Sequence, residues 1–288
     1  MAVPVKPFLS YAAQVEHLRA CGMIVEDEGK AVEILSRVNY YRLINAYGLN
    51  LYADTDKHRF REGVTFMQVY SLYAFDNRLR HVISELLEEF EVLFRTQLAH
   101  YIGEHYGPLG YLNPAMFENG AFHQEIVATI EREKTVQHKS PIVKHHDDKY
   151  SGNLPVWAAV EISTFGTMSK LYKNMLTSDQ AAIAKQFNLT PTLLNSWLRA
   201  FVEVRNICAH YGRLYNKTLL FPPRLFRECR FRQNSIFAVL YLLHRFVEPA
   251  TWLTCTVRLT EALHRYPSVE LERIGFPDDW PEWLNRSL

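Results

Sequence analysis

The chain has 288 residues, of which 48% are hydrophobic and 13% aromatic, with only 12 glycines and 13 prolines. That composition supplies a sizeable core and excludes both a disordered chain and a turn-rich sandwich or barrel. A formal charge of +1 excludes the whole-chain basic bias of a general nucleic-acid binder.

The opening residues MAVPVKPFLSYAAQ contain no apolar run of the kind a signal segment needs, and no stretch reaches the roughly 18 uninterrupted apolar residues of a membrane span. The four cysteines, Cys21, Cys208, Cys229 and Cys255, show no CxxC spacing, so neither a zinc site nor a disulfide framework is expected. A soluble cytoplasmic protein is the expectation.

A helix is expected from Ser10 to about Ala20, with Ser10 as cap and Gly22 at its C-terminal stop. A second runs from about Glu26 to Ser36. Asn39 to Gly48 reads as a third, short, aromatic-rich helical piece. Ala53 to Gly63 carries Asp54, Asp56, Lys57, His58, Arg59, Arg61 and Glu62 and reads as a loop or short hairpin. Thr65 then starts the longest helical signal. No Gly or Pro intervenes before Gly103, and apolar residues from Val69 to Leu98 recur at three- and four-residue steps. One bent helix or two joined end to end would both satisfy this run of about 38 residues, which exceeds the usual globular helix.

Gly107 to Pro114 breaks the pattern, Phe122 to about Val136 is helical again, and Gln137 to Asn153 reads as an exposed loop. His145, His146, Asp147 and Asp148 have a metal-like composition. Adjacent histidines in a polar loop rarely ligate one ion, so neither a metal nor another cofactor is expected. Helices follow from Pro155 to a break near Gly166, from about Ser169 to Met175, and from Ser178 to Phe187. Thr190-Pro191 is a helix start, a capping hydroxyl followed by Pro at the first helical position. That helix carries Leu194, Trp197, Leu198, Phe201, Val204 and Cys208, with Cys208 facing the core. Leu220-Phe221-Pro222-Pro223 separates it from a helix over Ser235 to about Phe246, and two more short helices follow Thr251. The fold class is therefore all-α, with a small helical lobe (1–62), a helical domain (63–250) and a C-terminal helical tail (251–288).

Chemistry concentrates in Glu203-Val204-Arg205-Asn206-Ile207-Cys208-Ala209-His210-Tyr211-Gly212-Arg213-Leu214-Tyr215-Asn216. Asn206 and His210 are an i,i+4 pair on one helix face. Arg205 lies about 140° round the helix from His210, so one helix does not easily aim both at one atom. A composite site made by two copies of the helix would. The residue types suit RNA cleavage: His exchanges protons near neutrality, Arg forks onto phosphate oxygens, and an amide orients. The competing explanation is a helix-end Arg and His that merely satisfy carbonyls.

The surroundings favour the first explanation. Between Leu193 and Arg245 stand Arg199, Arg205, Arg213, Lys217, Arg224, Arg227, Arg230, Arg232 and Arg245, opposed only by Glu203 and Glu228. Tyr211, Tyr215, Phe221, Phe226 and Phe231 are interleaved, as on a surface that tracks phosphates and stacks bases. The candidate RNA contacts are Arg199, Tyr211, Arg213, Tyr215, Lys217, Arg224, Arg227, Arg230 and Arg232, with Tyr41 and Arg42 of the N-terminal lobe as auxiliaries. Asp76 and Arg80, spaced i,i+4, read as a structural ion pair.

Several segments together resemble the Abi (AbiD/AbiF-like) abortive-infection family of the HEPN ribonuclease superfamily. They are Asn39-Tyr40-Tyr41-Arg42-Leu43, Leu72 to Arg80, Glu91 to Thr96, Leu154 to Ala158 with Thr164 to Ser169, and Arg205 to Asn216. The resemblance implies a HEPN-like helical bundle, a homodimer formed through the helices that carry the R-x4-H motif, and metal-independent endoribonuclease action in anti-phage defence. It implies Arg205 and His210 as the catalytic pair and Asn206 as the polar auxiliary. Some members of the family are associated with a small structured RNA. The alternative expectation is an RNA-binding protein that uses the same helix to hold a noncoding RNA without cutting it.

Overall fold

Side-chain caps set most of the helix starts. Ser10, Asp27, Thr65, Asn119, Ser140, Thr164, Thr190 and Ser235 each accept a hydrogen bond from a backbone amide two or three residues on, which satisfies a donor the helix leaves orphaned. The computed structural model describes residues 7–56 and 58–285. Residues 1–6, which carry part of the reading of the opening segment, Lys57 of the polar stretch, and residues 286–288 lie outside the described residues.

The helices are α1 (Tyr11–Ala20), α2 (Glu28–Arg37), α3 (Phe66–Tyr106), α4 (Gly120–Val136), α5 (Pro141–Tyr150), α6 (Val156–Ile162), α7 (Phe165–Asn174), α8 (Thr177–Gln186), α9 (Pro191–Ala209), α10 (Ile236–Leu243), α11 (Pro249–Arg265) and α12 (Trp280–Asn285). A π-type turn spans Tyr41–Asn45, and Tyr52–Asp54 (β1) pairs antiparallel with Arg59–Phe60 (β2). The fold is all-α apart from this small hairpin, which occupies the polar stretch read as a loop or hairpin. Among the described residues no helix is long and apolar enough to cross a membrane.

Helix α3 is one continuous helix of 41 residues and forms the axis on which α6, α9, α10 and α11 pack. It runs through Gly103. A Cβ there would lie 3.7 Å from Val156 and 3.8 Å from Trp157, ordinary contact distances to α6. The helix stops at Gly107, where the sequence pattern breaks, and whose φ of +79° only glycine adopts readily. Phe90 is the centre of the packing: the rings of Phe94, Phe165, Phe187, Phe201 and Phe246 lie 4.8 to 6.3 Å from its own. All eight residues of α10 are buried, as its apolar sequence on every side requires. One cluster of buried apolar residues extends from Val15 to Leu284.

Three expectations are corrected. Residues Gln137 to Asn153 are not all loop, because α5 occupies Pro141–Tyr150. Ser140-Pro141 repeats the cap chemistry of Thr190-Pro191, but only Val143 of α5 is buried, so no apolar stripe announced the helix. Helix α9 ends at Ala209, well before Leu220, and leaves residues 210–235 as an irregular segment between α9 and α10. The tail opens with a 17-residue helix, α11, rather than a short one, and α11 packs its buried Trp252, Cys255, Leu259 and Ala262 toward the bundle.

Cys208 faces the core as expected. Burial pushes its thiol up to about 11, and burial pushes that of Cys255 up to about 12. Both are therefore expected to resist a disulfide reagent at pH 8 in the native protein and to react on unfolding, because only the thiolate attacks. Rapid native-state labelling of either, followed by mass spectrometry, would contradict their placement.

Candidate functional site

Helix α9 ends in a Schellman motif built from residues of the R-x4-H segment. Tyr211 N–H donates to the Cys208 carbonyl at 3.0 Å and Gly212 N–H to that of Ile207 at 2.7 Å. The residue that must turn left-handed in such a motif is usually glycine, yet here it is Tyr211, with φ +56°. Gly212 follows where space is short, since a Cβ there would lie 2.9 Å from Ile207 Cγ2. His210 is the C-cap, its N–H still donating to Asn206 O at 3.1 Å. The sequence expectation placed His210 at the end of the helix, and the chain leaves the helix at this residue.

The segment after His210 is held by groups distant in sequence. Asp76 of α3 is fully buried, and its carboxylate accepts from the Tyr215 amide at 2.6 Å, the Leu214 amide at 3.2 Å, the Tyr47 hydroxyl at 2.6 Å and the Arg80 guanidinium. Burial pushes this carboxyl above the ordinary range, while the Tyr47 hydroxyl, Arg80 and the two amides pull in the opposite sense. Arg80 also donates to Gly212 O at 3.2 Å. From the N-terminal lobe, Arg42 donates to Tyr211 O and Arg213 reaches back to Ala46 O. Asp76 and Arg80 do form the expected ion pair, and they also fix the turn that presents His210.

These contacts create a cleft of about 680 Å³ between the lobe and the end of α9. Its walls include His210, Tyr211 and Arg213 from one side and Tyr41, Arg42 and His58 from the other. Tyr41 and Tyr211 are 73% and 68% exposed, enough to offer a ring face to a ligand. The structure thus joins His210 with two lobe residues that the sequence offered only as auxiliaries.

Arg205 does not line this cleft. It lies on α9, half-buried, and its Nε donates to Glu91 Oε2 at 3.2 Å. Glu91 simultaneously accepts from Arg95, whose guanidinium also donates to the carbonyls of Val160 and Ser163 at the end of α6. Asn206 is exposed. Within one chain, then, Arg205 is engaged with Glu91 and does not line the cleft that His210 lines.

The other candidate RNA contacts divide. Arg199 stacks over Phe221 at 4.2 Å and shares a second groove with Arg224, while Arg227, Arg230 and Arg232 are exposed on the segment before α10. Lys217 lies 3.9 Å from Glu203, which itself accepts from the amides of Leu220 and Phe221 and so shapes the loop. Tyr215 is buried at 2% exposure, so its ring is packing and not a stacking platform; the RNA contact expected there is withdrawn. Residue-type reasoning missed Tyr47, Asp76 and Glu91 as anchors and His58 as a wall of the cleft. Asp76 and Glu91 stood inside the segments that carried the family resemblance, a signal that was available.

A family model described as Abi-like protein matches residues 33–216, well over half of the chain. No curated protein and no solved structure matches it. The matched region holds the lobe residues of the cleft, Asp76, Glu91 and the whole R-x4-H segment, and it leaves α10, α11 and α12 outside.

Proposed function

The chain belongs to the Abi-like protein family, and from that premise we propose that it is an abortive-infection protein that acts by cutting RNA without a metal ion. Family membership supports the abortive-infection role. The RNA-cutting part rests on one observation above all: His210 stands in a cleft with Arg42, Arg213 and two exposed tyrosines. Such a cleft suits a single RNA strand, with cations for phosphate and rings for bases. In RNA the 2′-OH is an internal nucleophile, so an imidazole and a cation beside the phosphorus supply what the chain must add. The products of that chemistry carry a 2′,3′-cyclic phosphate and a 5′-OH.

Arg205 enters this reading through a homodimer of HEPN type. Two α9 helices meeting across a two-fold axis would set Arg205 of one copy near His210 of the other, which a single helix does not do. The competing reading is an RNA-binding protein that carries a noncoding RNA. It is favoured by the engagement of Arg205 with Glu91, which leaves that guanidinium partly neutralised.

The test is incubation of purified wild-type and His210→Ala protein with total cellular RNA in EDTA, with product ends mapped. Cleavage by wild type alone, leaving cyclic-phosphate ends, is the expected result. Cleavage by neither, with a discrete RNA that co-purifies in a salt-dependent way, would favour the carrier.

A further inference from the structure

Transesterification at phosphorus needs two proton handlers, one to take the 2′-OH proton and one to protonate the departing 5′-oxygen. His210 is one. A guanidinium such as that of Arg205 does not exchange protons at ordinary pH, and Arg205 is turned toward Glu91. Building on the ribonuclease reading, we propose that His58 is the second proton handler, acting with His210 in the same cleft.

His58 and His210 are the two imidazoles that line the cleft. Histidine is the side chain that ordinarily changes charge between pH 5 and 8. The other charged or phenolic groups on the walls are Arg42, Arg213, Tyr41, Tyr47, Tyr52 and Tyr211; Asp54, Asp56 and Arg59 of the same hairpin do not line it. Arg42 and Arg213 are each tied to a backbone carbonyl across the lobe boundary, so positive charge is fixed where a phosphate would lie.

Backbone geometry supports the same place independently. Among the described residues, His58, Ser151, Asn188, Tyr211 and Asn216 are the non-glycines with positive φ. Asparagine and histidine tolerate this region, whereas Tyr211 (φ +56°) holds a bulkier ring there, and both His58 (φ +51°) and Tyr211 line this cleft. Strained backbone of this kind persists only where the surroundings fix it, and it gathers at functional sites. The His58 ring rests edge-on to Tyr52 at 5.8 Å, and Tyr52 stacks on buried Phe60 at 4.3 Å, so the lobe core positions the imidazole.

The step balances with these two groups. One imidazole accepts the 2′-OH proton as the 2′-oxygen bonds to phosphorus. The P–O5′ bond breaks, and the imidazolium of the other gives its proton to the departing oxygen. The products are the cyclic phosphate and a 5′-OH, and the two rings end with exchanged protonation.

The experiment compares full-length wild type, His210→Ala, His58→Ala and His58→Asn on total cellular RNA and on a labelled single strand containing a mapped cut site. His58→Asn keeps a residue suited to the left-handed backbone but unable to exchange a proton, so it separates chemistry from folding of the hairpin. Both His58 variants are expected to lose about 10²- to 10⁴-fold in kcat with KM for RNA little changed, and to lose one limb of the pH dependence of kcat. If His58→Asn cuts at the wild-type rate with both limbs, or raises KM alone, while His210→Ala is dead, the role of His58 is overturned and the ribonuclease reading stands. If wild type does not cut, both are overturned.

Discussion

Asp76→Ala is expected to destabilise the protein by about 3–5 kcal/mol, the usual cost of removing one partner from a buried ion pair. Arg80 would be left with its charge buried at 4% exposure, and the amides of Leu214 and Tyr215 and the hydroxyl of Tyr47 would lose their common acceptor. The loss falls on the turn that presents His210, so cleavage should fall further than stability alone explains. Urea unfolding measures the first effect as a fall in midpoint at constant slope. Asp76→Asn keeps an acceptor and the shape but not the charge, and its midpoint should lie between those of Asp76→Ala and wild type. A change under about 1 kcal/mol for Asp76→Ala would show that the turn is held by other contacts.

Glu91→Ala should cost a similar amount, about 3–5 kcal/mol, for the same reason: Arg95 is buried and would keep only the carbonyls of Val160 and Ser163 as partners. Arg205→Ala should behave differently. Its side chain is 39% exposed, and a partly solvated ion pair contributes under about 1 kcal/mol. If Arg205 acts on RNA, its removal abolishes cleavage while the unfolding midpoint hardly moves. A double-mutant cycle on Glu91 and Arg205 would measure their coupling directly. Arg205→Ala protein that unfolds as readily as Glu91→Ala protein would instead identify Arg205 as a structural member of the cluster, and the loss of cleavage would carry no mechanistic meaning.

The helices were legible in the sequence where burial and capping agreed. Thr190-Pro191 and the apolar stripe from Leu194 to Cys208 gave the start and the buried face of α9. The long α3 was legible because its apolar positions recur without interruption. Helix α5 was not, because its cap was present but its stripe was not. The end of α3 was legible too, because the pattern breaks at Gly107, where the helix stops.

The amino-acid sequence by itself determined that the protein is all-α, and it singled out the segment around Arg205 and His210 as the candidate site. Angular spacing along a helix further indicated that one helix does not easily aim these two side chains at the same atom. Those properties follow from local propensity and periodicity, which neighbouring residues carry between them. Tertiary structure alone decided that Tyr41, Arg42 and His58 wall the cleft around His210 and that Tyr215 is core. It also decided that Asp76 binds the turn and that Arg205 rests on Glu91. These pairings join residues far apart along the chain, and they arise because burying α3 brings its carboxylates against the end of α9, where unsatisfied amides and guanidinium groups require a partner.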